Sequence, residues 1–204
     1  MNLNYKSVIV DNVLTEAEIA KVYDHIENTP EDKKEVVQVF GHTAYYSWLP
    51  EDVVKSLTRA AQSTSDIPLV LRELSFARYD TSHGIEPSLF PHSDETFREP
   101  RITFDLQLKS NLDWPIVVEG KPYVLSDNQA LTFSGTHQIH WREHIKFNDD
   151  NFMDMIFCHF SAADYVPESL GALMLGKDSS FLSDHDNEMI ERREYWNNIY
   201  YSDK

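Results

Sequence analysis

A mainly β fold with flanking helices, built as a sandwich or barrel, is predicted by three observations. Ile102, Phe104, Leu106 and Leu108 alternate with Thr103, Asp105, Gln107 and Lys109, the period of two that marks a half-buried strand. Seven or eight such short strands in all, separated by turn residues, fill most of the chain up to residue 160, the spacing of an all-β core. Before residue 67 two stretches repeat their apolar residues at helical spacing instead, so a helical layer precedes the β core. At 204 residues the chain suffices for one domain with a sizeable core and is too short for two comfortable ones. One domain is therefore expected over 1–204, with the β core at about 67–162 and an extension at 163–204.

The elements follow in order. Residues 7–10 read as a short strand. Thr15 and Glu18 have the spacing of a capping box, and Ile19, Val22, Tyr23 and Ile26 behind them share a helix face. The β-branched and aromatic run 35–48 reads as extended. Pro50 opens a second helix with Val53, Val54, Leu57 and Ala61 on one side. A strand at 69–79 ends in the turn-prone stretch 80–84. Two strands surround Glu119 and Gly120, and others are predicted at 129–134, 137–142 and 152–160. Residues 164–182 read as irregular. Ser183 or Asp184 then caps a packing helix that carries Met189, Ile190, Trp196 and Ile199.

Charge narrows the partners. Eighteen Lys and Arg against 34 Asp and Glu give a net charge of −16, a field that repels nucleic acid phosphates and anionic membrane surfaces. No run approaches the roughly 18 apolar residues of a membrane span. Residues 1–12 lack the basic and apolar regions of a secretory signal, so a cytoplasmic location is expected. The single cysteine, Cys158, leaves no internal disulfide framework or Cys-rich zinc site, and it sits in an apolar run as a core residue. The aromatic cluster Tyr195, Trp196, Tyr200 and Tyr201 suits packing on the barrel or on another subunit, so a homo-oligomer is compatible with the sequence.

Among nine histidines, His92 stands out because Asp94 follows at i+2. On an extended segment both side chains point to one face and reach one ion. His137 and His140, on a later strand, are the candidates for a third ligand, and His140 lies 46 residues after Asp94. Two histidines and one carboxylate make a facial triad that leaves coordination positions open, and a jelly-roll core brings such distant strands side by side.

Arg78-Tyr79, His92-Ser-Asp94, Phe133-Ser-Gly135 and His140-Trp-Arg142, after the opening at 8–18, together resemble the 2-oxoglutarate and Fe(II)-dependent oxygenases. The resemblance is nearest to their prolyl-4-hydroxylase-like branch, and to small microbial and phage-type members with a distal His-Trp-Arg. It covers roughly residues 6–162. It implies a double-stranded β-helix core, a jelly roll of cupin-like form, with His92, Asp94 and His140 as catalytic iron ligands; His140 is preferred to His137 for its place in His-Trp-Arg. It also implies Fe(II) as cofactor, 2-oxoglutarate and O2 as co-substrates, and ascorbate as an accessory reductant. The implied reaction is hydroxylation of an unactivated C–H bond, coupled to decarboxylation of 2-oxoglutarate to succinate. The implied substrate is a prolyl peptide or a small molecule.

The sequence departs from the branch at one point. Its members place a Lys or Arg for the distal carboxylate of 2-oxoglutarate about ten residues after the distal histidine, where this chain has Asp150. Arg142 is the first replacement, since at i+2 it shares a strand face with His140 and can grip a carboxylate bidentately. Lys146 is second, Arg78 and Arg101 lie on other strands, and Tyr79 is a further candidate for the co-substrate carboxylate. Two other readings stand beside this one: a cupin-like metal-dependent dioxygenase or isomerase without 2-oxoglutarate, and a non-enzymatic jelly-roll binding module. His159 alternates with apolar neighbours and reads as a satisfied core or strand-edge residue. Trp114 and Trp141 read as packing residues.

Overall fold

In the computed structural model the described residues are 6–46, 48–94, 102–164 and 184–202, with the side chains of 184–186 excepted. The N-terminal layer forms as its local signals dictate. In α1 (Glu16–Glu27) the Thr15 hydroxyl accepts the Glu18 N–H at 3.3 Å, and the Glu18 carboxylate accepts the Thr15 N–H at 2.8 Å. Two donors with no partner inside the helix are thereby satisfied. Thr15→Ala is expected to cost about 1 kcal/mol, read as a lower urea midpoint at unchanged m-value. Helix α2 (Glu51–Gln62) follows Pro50 and buries Val53, Leu57 and Ala61. Both helices pack on Leu74, Phe76, Phe104, Leu106, Ile156 and Phe160, one face of a large sheet.

Eleven strands occur among the described residues, rather than seven or eight. The run 35–48 divides into β2 (Lys34–Val37) and β3 (His42–Tyr45), a hairpin whose turn places Gly41 at φ 63°. A strand without a clear periodic signal, β5 (Leu89–His92), contains Pro91; it is tolerated because β5 is an edge strand. The others are β1 (Val8–Val10), β4 (Leu69–Tyr79), β6 (Ile102–Ser110), β7 (Ile116–Val118), β8 (Lys121–Tyr123), β9 (Gln129–Phe133), β10 (His140–Arg142) and β11 (Met153–Ala162). The strand expected at 137–142 starts only at His140, because the N–H groups of His137 and Gln138 both turn back to the Ser134 carbonyl.

Strands β4 to β11 pair as a nested hairpin: β4 with β11, β5 with β10, β6 with β9, and β7 with β8, all antiparallel. Rolled up, this gives two sheets, β1-β9-β6-β11-β4-β3-β2 and β5-β10-β7-β8, the jelly roll expected from the sequence. Glu119 and Gly120 close the β7–β8 hairpin at φ 49° and 76°, the backbone of a tight two-residue turn. Helix α3 (Asp184–Ser202) lies on the small sheet, with Met189 and Tyr200 buried against Val117, Ile139 and Trp141. Most of the irregular stretch expected at 164–182 lies outside the described residues. Among the described residues no helix is long and apolar enough to cross a membrane.

One expectation about β6 is corrected. Its apolar residues Phe104, Leu106 and Leu108 are buried under the helices, but Thr103, Asp105 and Gln107 are buried too. A central strand covered by helices outside and by a second sheet inside has no solvent face, so its polar side points into the interior of the roll.

Candidate metal centre

The nested pairing explains how residues far apart in sequence meet. Strand β5, second of the eight, pairs with β10, the seventh, and the register puts His92 directly across from His140. Their rings lie 4.2 Å apart, centroid to centroid. Asp94 follows two residues after His92, and its N–H donates to the Gly135 carbonyl at 2.8 Å, which fixes the chain where it leaves β5. One ligand atom each from His92, Asp94 and His140 then falls within 4.8 Å of the other two, a spacing that one metal ion spans.

The surroundings of each group are compatible with that. His92 Nδ1 lies 2.8 Å from the Phe90 carbonyl and His140 Nδ1 lies 3.1 Å from the Gln138 carbonyl. Carbonyls only accept, so both rings carry a proton on Nδ1, which leaves Nε2 as the atom each can offer to an ion, the arrangement that orients metal-bound imidazoles. His140 Nε2 is 3.5 Å from Asp94 Oδ1. Burial, and then the neighbouring His140, push His92 down to about 4, so it is neutral near pH 7. Burial alone would raise Asp94, but His140, His159 and the Thr103 hydroxyl outweigh it and hold the carboxyl below the usual range. For His140 burial disfavours the charge, and the Asp94 carboxylate outweighs it and raises the pKa.

These residues open on a cavity of about 180 Å³ that is also lined by Phe40, His42, Tyr79, Asp105, Phe157 and His159. Two of its buried polar atoms, Asp105 Oδ1 and His42 Nδ1, have no hydrogen-bond partner among the described residues. Such orphans cost free energy until something meets them. Burial pushes the Asp105 carboxyl up to about 6 and the His42 imidazole down to about 4.

The remaining residues singled out from sequence separate clearly. Tyr79 lines the cavity, its ring 4.7 Å from His42 and 5.2 Å from Trp114. Arg142 is 1% exposed and is not among the residues that line the cavity. Its guanidinium stacks over Trp114 at 5.0 Å, donates to the Trp114 carbonyl, and approaches the Met155 sulfur at 3.6 Å. Among the described residues no carboxylate lies within ion-pair distance of it, and burial lowers its pKa. Tyr79 and Asp105 are the groups that feel its charge. Lys146 is exposed and does not line the cavity. Arg78 faces the helical layer, where Asp154 holds it through two hydrogen bonds of 2.7 and 2.8 Å. Arg101 lies outside the described residues. His137 bonds to Ser134 and Thr136 in the turn before β10 and is not in the ligand cluster.

Sequence reasoning missed Thr103, Asp105, His42 and His159. The signal for the first two was present, since a polar residue at every second place marks either a wet face or a site. His159, read as a satisfied core or strand-edge residue, lines the cavity, with Nε2 3.7 Å from Asp94 Oδ2.

Comparison with known proteins adds the fold's relatives. No protein-family model matches the sequence, and no curated protein matches it significantly. Many solved structures share the fold. The 2-oxoglutarate-dependent non-haem epimerase SnoN from nogalamycin biosynthesis aligns at TM-score 0.64 and 13% identity, over 87% of this chain and 86% of that one. HygX from Streptomyces hygroscopicus, solved with nickel and 2-oxoglutarate, aligns at TM-score 0.57 and 10% identity over 79% and 85%. A prolyl hydroxylase from Trichoplax adhaerens, in complex with a peptide fragment of hypoxia inducible factor, aligns at TM-score 0.53 and 14% identity over 76% and 83%. At such identities the likeness is one of fold: the chain has the double-stranded β-helix of the 2-oxoglutarate and Fe(II) oxygenases.

Proposed function

We propose that this protein is a 2-oxoglutarate-dependent Fe(II) oxygenase that hydroxylates an unactivated C–H bond of a small molecule or a peptide segment. The observation that carries the reading is the closure of His92, Asp94 and His140 to within 4.8 Å at the wall of a cavity, in a chain with the fold of that enzyme class. The donor set suits iron(II), since two imidazoles and one carboxylate leave positions open for a 2-oxo acid and dioxygen. Iron with 2-oxoglutarate and O2 supplies the oxidising power, succinate and CO2 being the products from the 2-oxo acid.

The chain's own residues do the rest. Arg142 is a buried cation without a carboxylate partner among the described residues, an arrangement that is costly until an anion arrives. A ligand carboxylate at the Tyr79 end of the cavity would compensate it. Below about pH 6, where Asp105 is protonated, it offers an O–H donor to the same anion. Phe40, Leu89 and Phe157 give the cavity apolar walls that exclude water from the reacting bond. Hydroxylation is favoured by the sequence resemblance to the prolyl-hydroxylase-like branch. Because one structural relative is an epimerase, stereochemical inversion at carbon is the second outcome to assay.

The test is anaerobic addition of Fe(II) and then 2-oxoglutarate, watching for the visible metal-to-ligand charge-transfer band. The band is expected in the wild type and absent in His140→Ala. In Arg142→Met, half-saturation is expected to need at least about ten-fold more 2-oxoglutarate, through loss of the buried charge that attracts its carboxylate. Iron binding without a band would favour the cupin-like alternative, and absence of iron binding would end the catalytic reading.

A further inference from the structure

We propose that His159 is a positioning residue for the carboxylate ligand. With Thr103 it holds Asp94 Oδ2 away from the metal position, so that only Oδ1 is offered. The inference rests on the reading of His92, Asp94 and His140 as a metal centre.

The two oxygens of Asp94 have different surroundings. Oδ1 lies 3.5 Å from His140 Nε2, on the side of the other donor atoms. Oδ2 accepts the Thr103 hydroxyl and lies 3.7 Å from His159 Nε2, within ion-pair distance. The sheet itself builds this second environment. On β6, β11 and β4, the residues Thr103, His159 and Glu73 stand side by side in register. Glu73 Oε2 is 3.3 Å from His159 Nδ1, which fixes the ring so that Nε2 faces Asp94. The pairing of β11 with β4 shifts register immediately after His159, an irregularity of the kind that re-aims a side chain beside a site. His159 does not itself belong to the set of three mutually close ligand atoms.

The consequence is a coordination count. A carboxylate that binds through both oxygens fills two positions of an octahedral ion, and with two imidazoles it leaves two open. Bound through one oxygen it leaves three, the number that a chelating 2-oxo acid and dioxygen together require. Partners that hold the second oxygen therefore decide whether the centre has room for both.

The probe is Co(II), titrated by calorimetry into the metal-free protein and followed by its visible ligand-field spectrum, with no 2-oxoglutarate present. His159→Ala is expected to weaken Co(II) binding by about 10–100-fold, the usual effect of losing a partner of a metal ligand. Its ligand-field bands should change in position and intensity as Asp94 closes onto the ion. His159→Gln restores a side-chain N–H at similar reach and is expected to recover most of the affinity and the original spectrum. Thr103→Val should shift both readouts in the same direction as His159→Ala, which keeps the test alive if that variant folds poorly. Wild-type affinity and spectrum in a folded His159→Ala would overturn the inference, as would a His159→Gln no better than alanine. If the wild type binds no Co(II), the metal-centre reading itself falls, an outcome separate from either of these.

Discussion

Replacing Gly135 by alanine is expected to weaken divalent-metal binding by up to about 100-fold, as disruption around a metal ligand does, while leaving the jelly roll folded. A Cβ at this position would run into Asp94 Oδ2 and the Thr103 hydroxyl, closer than any real side-chain carbon approaches. Gly135 is not among the residues with positive φ, so alanine meets no backbone penalty and the contact alone is tested. Neither neighbour can yield cheaply. Thr103 is on the central strand β6, and the Asp94 backbone is tied to the Gly135 carbonyl. Relief must come from rotation of the Asp94 side chain, which takes its carboxylate from His92 and His140. Calorimetric titration with Mn(II) checks this, and unchanged affinity in a folded variant would show that Asp94 is not the ligand its position indicates.

Asp105→Asn is expected to change how stability depends on pH. Burial pushes the Asp105 carboxyl up to about 6, against an unfolded value of about 3.9. The folded metal-free protein therefore holds this proton more tightly than the unfolded chain does. The sign follows: the stabilisation is fully present below about pH 4, declines as pH rises through 6, and is gone above it. The difference amounts to about 3 kcal/mol. Asparagine has the same shape and cannot ionise, so the stability of wild type minus variant should fall by about that amount between pH 4 and 7 in urea unfolding. His42 and His92 titrate alike in both proteins and cancel, whereas the Asp105 carboxylate raises His140 and His159, so part of the difference is carried by those two imidazoles. A flat difference would mean that Asp105 is ionised throughout, and it would remove this residue as a donor to a bound carboxylate.

Much of the fold was legible because its signals are local. The capping box at Thr15 and Glu18, the helix after Pro50, the turn at Glu119 and Gly120 and the alternation in β6 each depend on residues within one or two turns or strands of each other. The strand β5 was the exception: a four-residue edge strand containing Pro91 has no period to detect. For the same reason the hairpin of β2 and β3 read as one extended run.

By itself, then, the sequence determined most of the elements, the β class and the His-x-Asp pair, because spacing of two along an extended chain places both side chains on one face. It also narrowed the candidates for a third ligand to His137 and His140. Only the tertiary structure decided the rest. Register between β5 and β10 puts His140, and not His137, opposite His92. The covering of the large sheet by helices on one side and the small sheet on the other turns the polar side of β6 inward, bringing Thr103 and Asp105 to the cavity. Burial, with no carboxylate partner among the described residues, distinguishes Arg142 from Lys146, which the fold leaves in solvent. Each of these facts depends on which strands become neighbours, a property of long-range pairing that no local pattern of residues encodes.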